Sequence, residues 1–410
     1  MFSQQLDDIL HHPEFQRLES AWRGLQFLIE QTDFRENIEI FLWNVSREEL
    51  PTDLNHTEDV SQSFFSQKIN NEYNGMPYPF SAIIAAYEFG PSAEDINLLN
   101  RIACVAETAA VPFIAGAKFD FFCRENNFQE FPLKQIDSLF NDPKYIKWRT
   151  FRDTNAARFT GLTFPRFRGR LPYKLENFSG HLFNYKEQVG VDPANYLWCN
   201  SAFALASRIV DSFAKYRHCA NIIGPEDGLV DIPFDPQNGA DEEGRPKWTE
   251  ILIDEYTEIQ LGNGGFIPLI LSKFRMPLFF SAFSCQKPRI FDDKNVNRDF
   301  HLGVQLPYLF FILRFYQYLS ILRREMKGIW KTREELERGL NRWLYRYQDY
   351  PSELDTDIPL IRGWKPLHRG QVKIEETPEN PDFYRGYLTI TPKWKYMSDW
   401  FNLHFRFFWK

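Results

Sequence analysis

Residues 80–116 read FSAIIAAYEFGPSAEDINLLNRIACVAETAAVPFIAG, and this stretch decides the fold class. The apolar runs at its two ends, Phe80–Phe89 and Val111–Gly116, are typical of buried strands. Between them, Ser92 with Asp95 three residues later is a capping signal for the start of a helix. The helix itself is indicated by apolar residues that recur on one face, Ile96, Leu99, Ile102 and Val105. Strand, helix and strand in this order predict a βαβ unit with parallel strands.

The C-terminal part of the chain has a different pattern. Apolar residues occupy every second position of its last stretch, namely Phe401, Leu403, Phe405, Phe407 and Trp409. This alternation is typical of a half-buried strand. Two further strands are predicted at Gln371–Thr377 and Phe383–Thr391, on either side of a proline-rich turn. The fold class is therefore mixed α/β, with a βαβ-containing core and a C-terminal antiparallel meander of three strands.

An amphipathic helix is predicted near the N-terminus. Pro13 suits its first turn. Apolar residues follow at spacings of three and four, which places them on one face: Phe15, Leu18, Trp22, Leu25 and Ile29. We expect the first four of these to form the packing face of the helix.

Other elements follow from local patterns. Strands are predicted at Ile38–Val45 and Glu250–Ile259, and long helices at Gln305–Lys327 and Arg333–Arg346. The chain is expected to divide into an N-terminal part (1–125), a middle part (126–365) and C-terminal strands (366–410). The middle part carries a surface excursion near 223–247, where turn residues are densest.

Composition and charge exclude several classes of protein. The 410 residues are 43% hydrophobic and 25% charged, as in ordinary folded proteins. The net charge of -7 opposes binding to nucleic acid or to an anionic membrane. The five cysteines are scattered without a C-x-x-C pair, which favours free thiols in a reducing compartment. The most apolar run, Leu306–Leu322, is interrupted by Arg314, and no leader pattern precedes it, so we expect a cytoplasmic protein.

Aromatic residues are unusually frequent, at 17% of the chain, with 40 Phe, 18 Tyr and 11 Trp. One interpretation is a phenylalanine-rich core. The other is a large surface that is buried against other chains, because aromatic side chains are enriched at interfaces. Composition leaves both open.

Motifs for catalysis or cofactor binding are absent from the sequence. There is no glycine-rich dinucleotide or phosphate loop, and the cluster around Gly262 fits a turn. His218 with Cys219 and Cys199 is the best metal candidate by residue type, but its spacing favours buried structural residues. The adjacent carboxylates Asp292-Asp293 and Glu375-Glu376 are interpreted as solvated rather than as an acid–base pair. We expect no catalytic residue, metal or cofactor.

Two stretches are locally basic. Ile321–Arg346 holds eight Lys and Arg against four Glu, and Tyr384–Lys410 also carries a net charge of +4. Arg338 and Arg342 are like charges one helical turn apart, which is mildly unfavourable unless an acidic group lies nearby. This helix is either a solvated face or a face that meets an acidic protein partner.

An ordered series of motifs along most of the chain resembles the large subunit of the contractile sheath of bacterial type VI secretion systems. The resemblance runs from about residue 8 to about residue 403. The matching stretches are His11–Leu25, Tyr87–Phe89, Pro112–Ala115, Phe159–Phe167, Arg170–Tyr173, Phe183–Glu187, Tyr196–Trp198, Asp211–Tyr216, Asn221–Pro225, Gln286–Pro288, Leu302–Tyr308 and Lys395–Met397.

The resemblance implies a mechanical role. The large subunit pairs with a small sheath subunit, and the heterodimers stack into a helical sheath around an inner tube, above a baseplate. Strands exchanged between protomers lace the lattice, and a ring ATPase disassembles contracted sheath. We expect the exchanging element to carry Val372, Ile374, Tyr387 and Thr389, because unpaired strand edges recruit strands from other chains. The basic helix with Arg338 and Arg342 is a candidate for the face that meets the tube or a partner.

Two departures from the family leave alternatives open. Ten residues precede the helix that starts at His11, whereas the family usually has a longer extension that laces the lattice. The tail after Met397 is also bulkier than usual. One alternative is a sheath-like baseplate or adaptor protein that does not polymerise. Another is an α/β enzyme that uses the βαβ unit for a small ligand, although Gly90-Pro91-Ser92 supplies only one glycine there.

Overall fold

The computed structural model describes residues 2–55, 59–70, 78–123, 136–174, 185–189, 193–233, 248–272, 276–326, 332–348, 365–376, 384–396 and 399–409. The helices in these ranges are α1 Phe2–Leu10, α2 Pro13–Glu30, α3 Glu49–Asn55, α4 Phe64–Ile69, α5 Ala93–Ala109, α6 Ile136–Leu139, α7 Ile146–Arg152, α8 Ala202–Tyr216, α9 Gly224–Asp227, α10 Glu255–Asn263, α11 Lys294–Gly303, α12 Leu306–Glu325 and α13 Arg333–Leu344. The strands are β1 Ile83–Phe89, β2 Phe113–Ala117, β3 Thr160–Phe164, β4 Phe167–Arg168, β5 Trp198–Cys199, β6 Phe266–Leu271, β7 Pro277–Phe279, β8 Leu367–Glu376, β9 Tyr384–Pro392 and β10 Leu403–Trp409.

A five-stranded sheet forms the centre of the larger part of the molecule. Its order is β1-β2-β3-β6-β7; the first four strands are parallel, and β7 is antiparallel to β6. Every residue of β2 and β3 is buried, as expected for parallel strands that are covered on both faces. The predicted βαβ unit is confirmed as β1, α5 and β2. The Ser92 side chain accepts a hydrogen bond from the backbone nitrogen of Asp95, so the capping signal marks the true start of α5.

An asparagine fills an irregularity between the first two strands. The register of β1 against β2 shifts between Ile84 and Glu88. There the Asn200 amide donates to the carbonyl of Tyr87 at 2.8 Å, while its oxygen accepts from the nitrogen of Ala202 at 2.9 Å. A Cβ on Gly116 would lie 2.8 Å from this amide, so only glycine fits opposite it.

The C-terminal meander is confirmed as a separate three-stranded antiparallel sheet with the order β10-β9-β8. One face is buried and contributes Val372, Ile374, Leu388, Ile390, Leu403 and Phe407 to the core. This face packs on α11, α12 and α13. The strict alternation in the sequence is therefore the signature of a sheet with one covered face.

Two strand predictions are wrong. Within the described chain, residues 38–45 take part in no strand ladder; the Tyr87 hydroxyl of β1 donates to the Val45 carbonyl, but this is a side-chain contact and not a ladder hydrogen bond. Residues 250–259 end in helix α10 instead. The Asp254 side chain accepts from the backbone nitrogen of Thr257 at 2.8 Å, and this N-terminal cap outweighs the apolar alternation.

The three-part division of the chain stays a prediction. The central sheet takes β1 and β2 from residues 1–125 and its other strands from residues 126–365, so these two parts share one sheet. Much of the predicted excursion, 234–247, lies outside the described residues.

Many aromatic residues pack against one another in the subunit core. Phe266 lies within 5.3 Å, between ring centroids, of each of Phe121, Phe122 and Trp148. A phenylalanine-rich core therefore accounts for part of the composition. Other aromatic side chains remain exposed, and several of them are concentrated on the N-terminal helices.

Candidate assembly surfaces

Helix α2 buries a different face from the one predicted. Phe27 and Leu28 are buried, and Gly24 packs on α8. A Cβ on Gly24 would lie 2.4 Å from Cδ2 of Phe203, so the glycine allows the two helices to approach closely. The sequence signal for this contact was a single glycine inside a helical pattern, which the apolar periodicity concealed.

The predicted packing face of α2 is largely exposed. Phe15 is 38% exposed, Leu18 58% and Trp22 59%, and only Leu25 packs against the core. The prediction is therefore wrong for Phe15, Leu18 and Trp22 as residues packed within the subunit. Together with exposed residues of α1 they form what we call the apolar stripe: Phe2, Ile9, Phe15, Leu18, Trp22 and Ile29. Ile9, Phe15 and Leu18 line a common surface groove, which shows that the two helices share this face.

A polar network holds α1 and α2 on the rest of the subunit. Arg170 pairs with Glu19 of α2 at 2.7 Å and with Glu187 of the segment 185–189 at 2.6 Å, and so joins the helix to that segment. Burial disfavours the Arg170 cation, but its hydrogen bonds to Glu187 and Glu19 outweigh this and raise its pKa. Nε2 of His11, between the helices, lies 3.4 Å from Glu187. These contacts fix the position of the helices that carry the apolar stripe.

Helix α1 is tied to the same segment by a second contact. The Asp7 carboxylate accepts from the Tyr185 hydroxyl at 2.6 Å and from the backbone nitrogen of Gln188 at 3.1 Å. Burial, followed by the hydrogen bond to Asp7, raises the pKa of Tyr185. An exposed helix without buried residues, as α1 is, keeps its place through such polar contacts.

The structure corrects the predicted strand-pairing element. β9 is hydrogen-bonded to β8 on one side and β10 on the other, so Tyr387 and Thr389 lie on the central strand and offer no free edge. The side chains of Val372 and Ile374 point into the core. A strand from another chain therefore has only the outer edges of β8 and β10 to pair with, within the described sheet.

The basic helix is α13. Arg338 and Arg342 are exposed, whereas Leu336, Leu340 and Leu344 are buried on the other side. Nε of Arg338 donates to the Glu334 carbonyl of its own helix at 3.2 Å. The two guanidinium groups are thus available at the surface, and their partner stays a prediction.

The metal candidate is not assembled. The His218 ring stacks with Trp394, with ring centroids 5.6 Å apart, while the Cys199 thiol donates to the carbonyl of Ser20 at 3.2 Å. Burial raises the pKa of Cys199 and of Cys219 to about 12, so both stay protonated thiols. No group of three or more His, Cys, Asp or Glu that could hold a metal occurs in the described ranges.

The carboxyl ends of β1 and β2 form the place where an α/β enzyme binds its ligand. Here the Asp95 carboxylate lines a small open crevice together with Lys118 and Lys144. It accepts from the backbone nitrogen of Gly90 at 2.6 Å and forms ion pairs with Arg47 and Lys118. Arg47 and Lys118 are therefore already paired with the chain's own carboxylate.

The adjacent carboxylates also have structural roles. Asp293 caps α11 by accepting from the backbone nitrogen of Asn295 at 2.7 Å, and Glu375 pairs with Lys373 at 2.7 Å.

None of the described helices is long and apolar enough to cross a bilayer.

Comparison with known families places the chain among the tail sheath proteins. Residues 1–286 match the family described as "EvpB/VC_A0108, tail sheath N-terminal domain", and residues 295–406 match "EvpB/VC_A0108, tail sheath gpW/gp25-like domain". The chain belongs to this family, and it is a large sheath subunit of the type VI secretion kind. The family resemblance in the sequence is thereby confirmed.

One relative from Pseudomonas aeruginosa strain PAO1 is named "Type VI secretion system sheath protein TssC1". It is 32% identical over 403 residues, which cover 95% of this chain and 80% of the relative. A chain of the cryo-EM structure of the anti-feeding prophage baseplate aligns with a TM-score of 0.40 at 6% identity, covering 90% of this chain and 79% of that one. A similarity of this size does not by itself define a shared fold.

Proposed function

We propose that this sheath subunit pairs with a small sheath subunit through the apolar stripe. The heterodimers polymerise in the bacterial cytoplasm around an inner tube, start from a baseplate, and contract to drive the tube outwards. A ring ATPase then disassembles the contracted sheath. Membership of the type VI sheath family supports this role, and the exposed stripe on α1 and α2 is the observation that carries the assignment of the partner surface.

The stripe has the properties of an interface. Monomeric proteins rarely expose a contiguous apolar patch of large side chains, because leaving it in water is unfavourable. Here the stripe combines aromatic and aliphatic residues on two helices whose positions are fixed by Arg170 and Asp7. A fixed apolar helix face fits a groove or helix of another protein. The occupant that we propose is the small sheath subunit.

The C-terminal sheet supplies the second kind of contact. Strands exchanged between protomers would pair at a free outer edge of this sheet and continue the backbone hydrogen bonds from one subunit to the next. A contact of this kind, made between two different surfaces, repeats without closing and therefore builds a helical filament. Arg338 and Arg342 are proposed to face the inner tube or an acidic partner.

The work of this protein is proposed to lie in its interfaces and not in bond chemistry. In the crevice where an enzyme of this fold class would bind a ligand, the Asp95 carboxylate pairs with Lys118 and accepts from the backbone nitrogen of Gly90. We propose no catalytic residue, no cofactor, no nucleic-acid partner and no insertion into a membrane.

The test is co-expression with the small sheath subunit from the same gene neighbourhood, followed by electron microscopy. We expect tubular filaments from the wild type and from Arg17→Ala, an exposed control on α2, but none from Trp22→Asp. A folded heterodimer that never forms filaments would favour a baseplate or adaptor role. Normal sheath from Trp22→Asp would remove the stripe as the partner surface.

A further inference from the structure

The outer edge of β8 is covered by side chains of helix α13. The Asn341 side-chain oxygen accepts from the backbone nitrogen of Val372 at 2.9 Å, and its nitrogen donates to the carbonyl of the same residue at 2.7 Å. A residue on a neighbouring strand makes this same pair of hydrogen bonds in an antiparallel ladder. The carboxamide of Asn341 therefore takes the place of a peptide group.

Two more side chains extend this cover along the strand. The Glu337 carboxylate accepts from the backbone nitrogen of Ile374 at 2.8 Å. The Gln348 amide donates to the carbonyl of Gly370 at 2.9 Å. Outward-facing backbone groups of three residues of β8, each two positions from the next, are thus bonded to side chains.

Close packing keeps the cover in place. A Cβ on Gly370 would lie 2.8 Å from Cδ2 of Leu344 at the end of α13, so glycine is needed for the helix to lie against β8. Leu336, Leu340 and Leu344 are buried beneath the helix. The covering side chains are therefore held by the core and not by the exposed surface of the helix.

The opposite edge of the sheet differs. Peptide groups along an antiparallel strand point alternately to its two sides. The backbone N–H and C=O groups of Val372 face α13, so those of Lys373 face Tyr387 on β9. On β9, the backbone groups of Leu388 in turn face β10. The same alternation leaves the peptide groups of three β10 residues facing outwards, namely His404, Arg406 and Phe408.

We propose that α13 closes the β8 edge to strands, and that Asn341 and Glu337 prevent a second copy of this chain from pairing there, so that the sheet grows only at β10. Exposed strand edges are templates for pairing between identical chains, and covering them is a general protection. In a subunit that must assemble in one direction, a sheet open at both edges would also join copies in a wrong arrangement. This inference deepens the strand exchange of the proposed function and rests on it.

The experiment uses the purified full chain with single reporter cysteines. Lys373→Cys reports pairing at β8, and Arg406→Cys reports pairing at β10; both positions are exposed. A short bis-maleimide traps dimers, and the chain without a reporter gives the background from the native thiols, of which only Cys104 is not buried. Each reporter is combined with Asn341→Ala, or with Glu334→Ala as the matched exposed control on the same helix.

We expect Asn341→Ala to raise the trapped dimer at Lys373→Cys about tenfold, since about two hydrogen bonds of the closed edge are lost. The dimer at Arg406→Cys, and both dimers in Glu334→Ala, should stay unchanged. A folded Asn341→Ala chain with no rise at Lys373→Cys overturns the proposal. Asn341→Asp keeps the side-chain size, loses the donor to the Val372 carbonyl, and should show the same rise if Asn341→Ala does not fold.

Hydrogen exchange of the wild type tests independently whether the β8 edge is closed. The backbone amides of Val372 and Ile374 should be protected to the same degree as amides inside the sheet, and rapid exchange there overturns the proposal. Neither measurement depends on filaments. A chain that formed no sheath but behaved as expected at β8 would contradict the proposed function alone.

Discussion

Gly24 of α2 lies so close to Phe203 of α8 that a Cβ on the glycine would come within 2.4 Å of the phenylalanine ring. This contact sets the distance between the N-terminal helices and the central sheet, because α8 packs on β1, β2 and β3. The orientation of α2, and with it the exposure of the apolar stripe, depends on this glycine.

We expect Gly24→Ala to destabilise the subunit by about 1–3 kcal/mol, because Phe203 or α2 must move to make room. The gain of about 1 kcal/mol in helix propensity would offset this only in part. Urea denaturation followed by circular dichroism measures the difference. Gly303→Ala is the control, since its Cβ would meet its nearest neighbour, Arg158, at an ordinary 3.4 Å. Equal stability of the two variants would contradict the close packing.

Trp22→Ala should weaken binding of the small sheath subunit by about 2 kcal/mol or more, as exposed tryptophans at interfaces often dominate the binding energy. Stability of the isolated chain should change little, because the side chain is 59% exposed. Isothermal titration calorimetry and thermal unfolding separate the two effects. Phe27→Ala is the reverse control: it removes a buried ring from the same helix and should cost about 3–5 kcal/mol of stability.

Arg170→Met should destabilise the chain by about 3–5 kcal/mol, because it leaves the buried carboxylate of Glu187 without its ion pair. Chemical denaturation measures the loss. Arg17→Ala, which breaks an exposed pair with Glu14, should cost no more than about 1 kcal/mol. If the two variants had similar stability, the Arg170 network would not be what holds α1 and α2.

His218 should make folding sensitive to acid. Burial lowers its pKa from 6.5 to about 4, so the unfolded chain binds a proton more readily than the folded one. The contribution of neutral His218 to the free energy of unfolding is fully present above pH 6.5. It is lost as the pH falls towards 4, which lowers the free energy of unfolding by about 3 kcal/mol in total. Comparison of His218→Phe with the wild type across this range measures it. A wild type whose stability relative to the variant does not fall between pH 6.5 and 4 would contradict this assignment.

Reversal of charge at Arg338 and Arg342 tests the basic helix. Substitution of both by Glu should reduce assembly around the tube if this face meets an acidic partner, and the effect should weaken at high salt. Both side chains are exposed, so folding should be unaffected. Filament counts with and without the tube protein measure the effect, and unchanged tube-dependent assembly would remove this face as a candidate.

Elements whose signals are local could be predicted from the sequence. The Ser92 cap and the apolar face of α5 define the βαβ unit, and the alternation around Phe405 defines β10. The capping signal of Asp254 was also local, but the apolar alternation before Ile259 concealed it. The family could be recognised because many short motifs occur in the right order.

The assembly surfaces could not be predicted in the same way. Periodicity places Leu18 and Trp22 on one face of α2, but it cannot say whether the subunit's own core or another chain covers that face. The bond between Asn341 and Val372 joins residues 31 positions apart in the chain, and no local pattern indicates it. Residues 38–45 read as a strand in the sequence but form no ladder, and whether such a segment pairs depends on the tertiary fold.

The antiparallel arrangement of β8, β9 and β10 has a mechanical consequence. When tension acts along the strand direction, all the hydrogen bonds between two neighbouring strands are loaded at the same time and must break together. When tension acts across the strands, the bonds open one after another and resist far less. In a sheath whose subunits pull on one another along the direction of β10, the hydrogen bonds between strands would share the load. Although each bond is weak, together they would transmit a sudden contraction without separating.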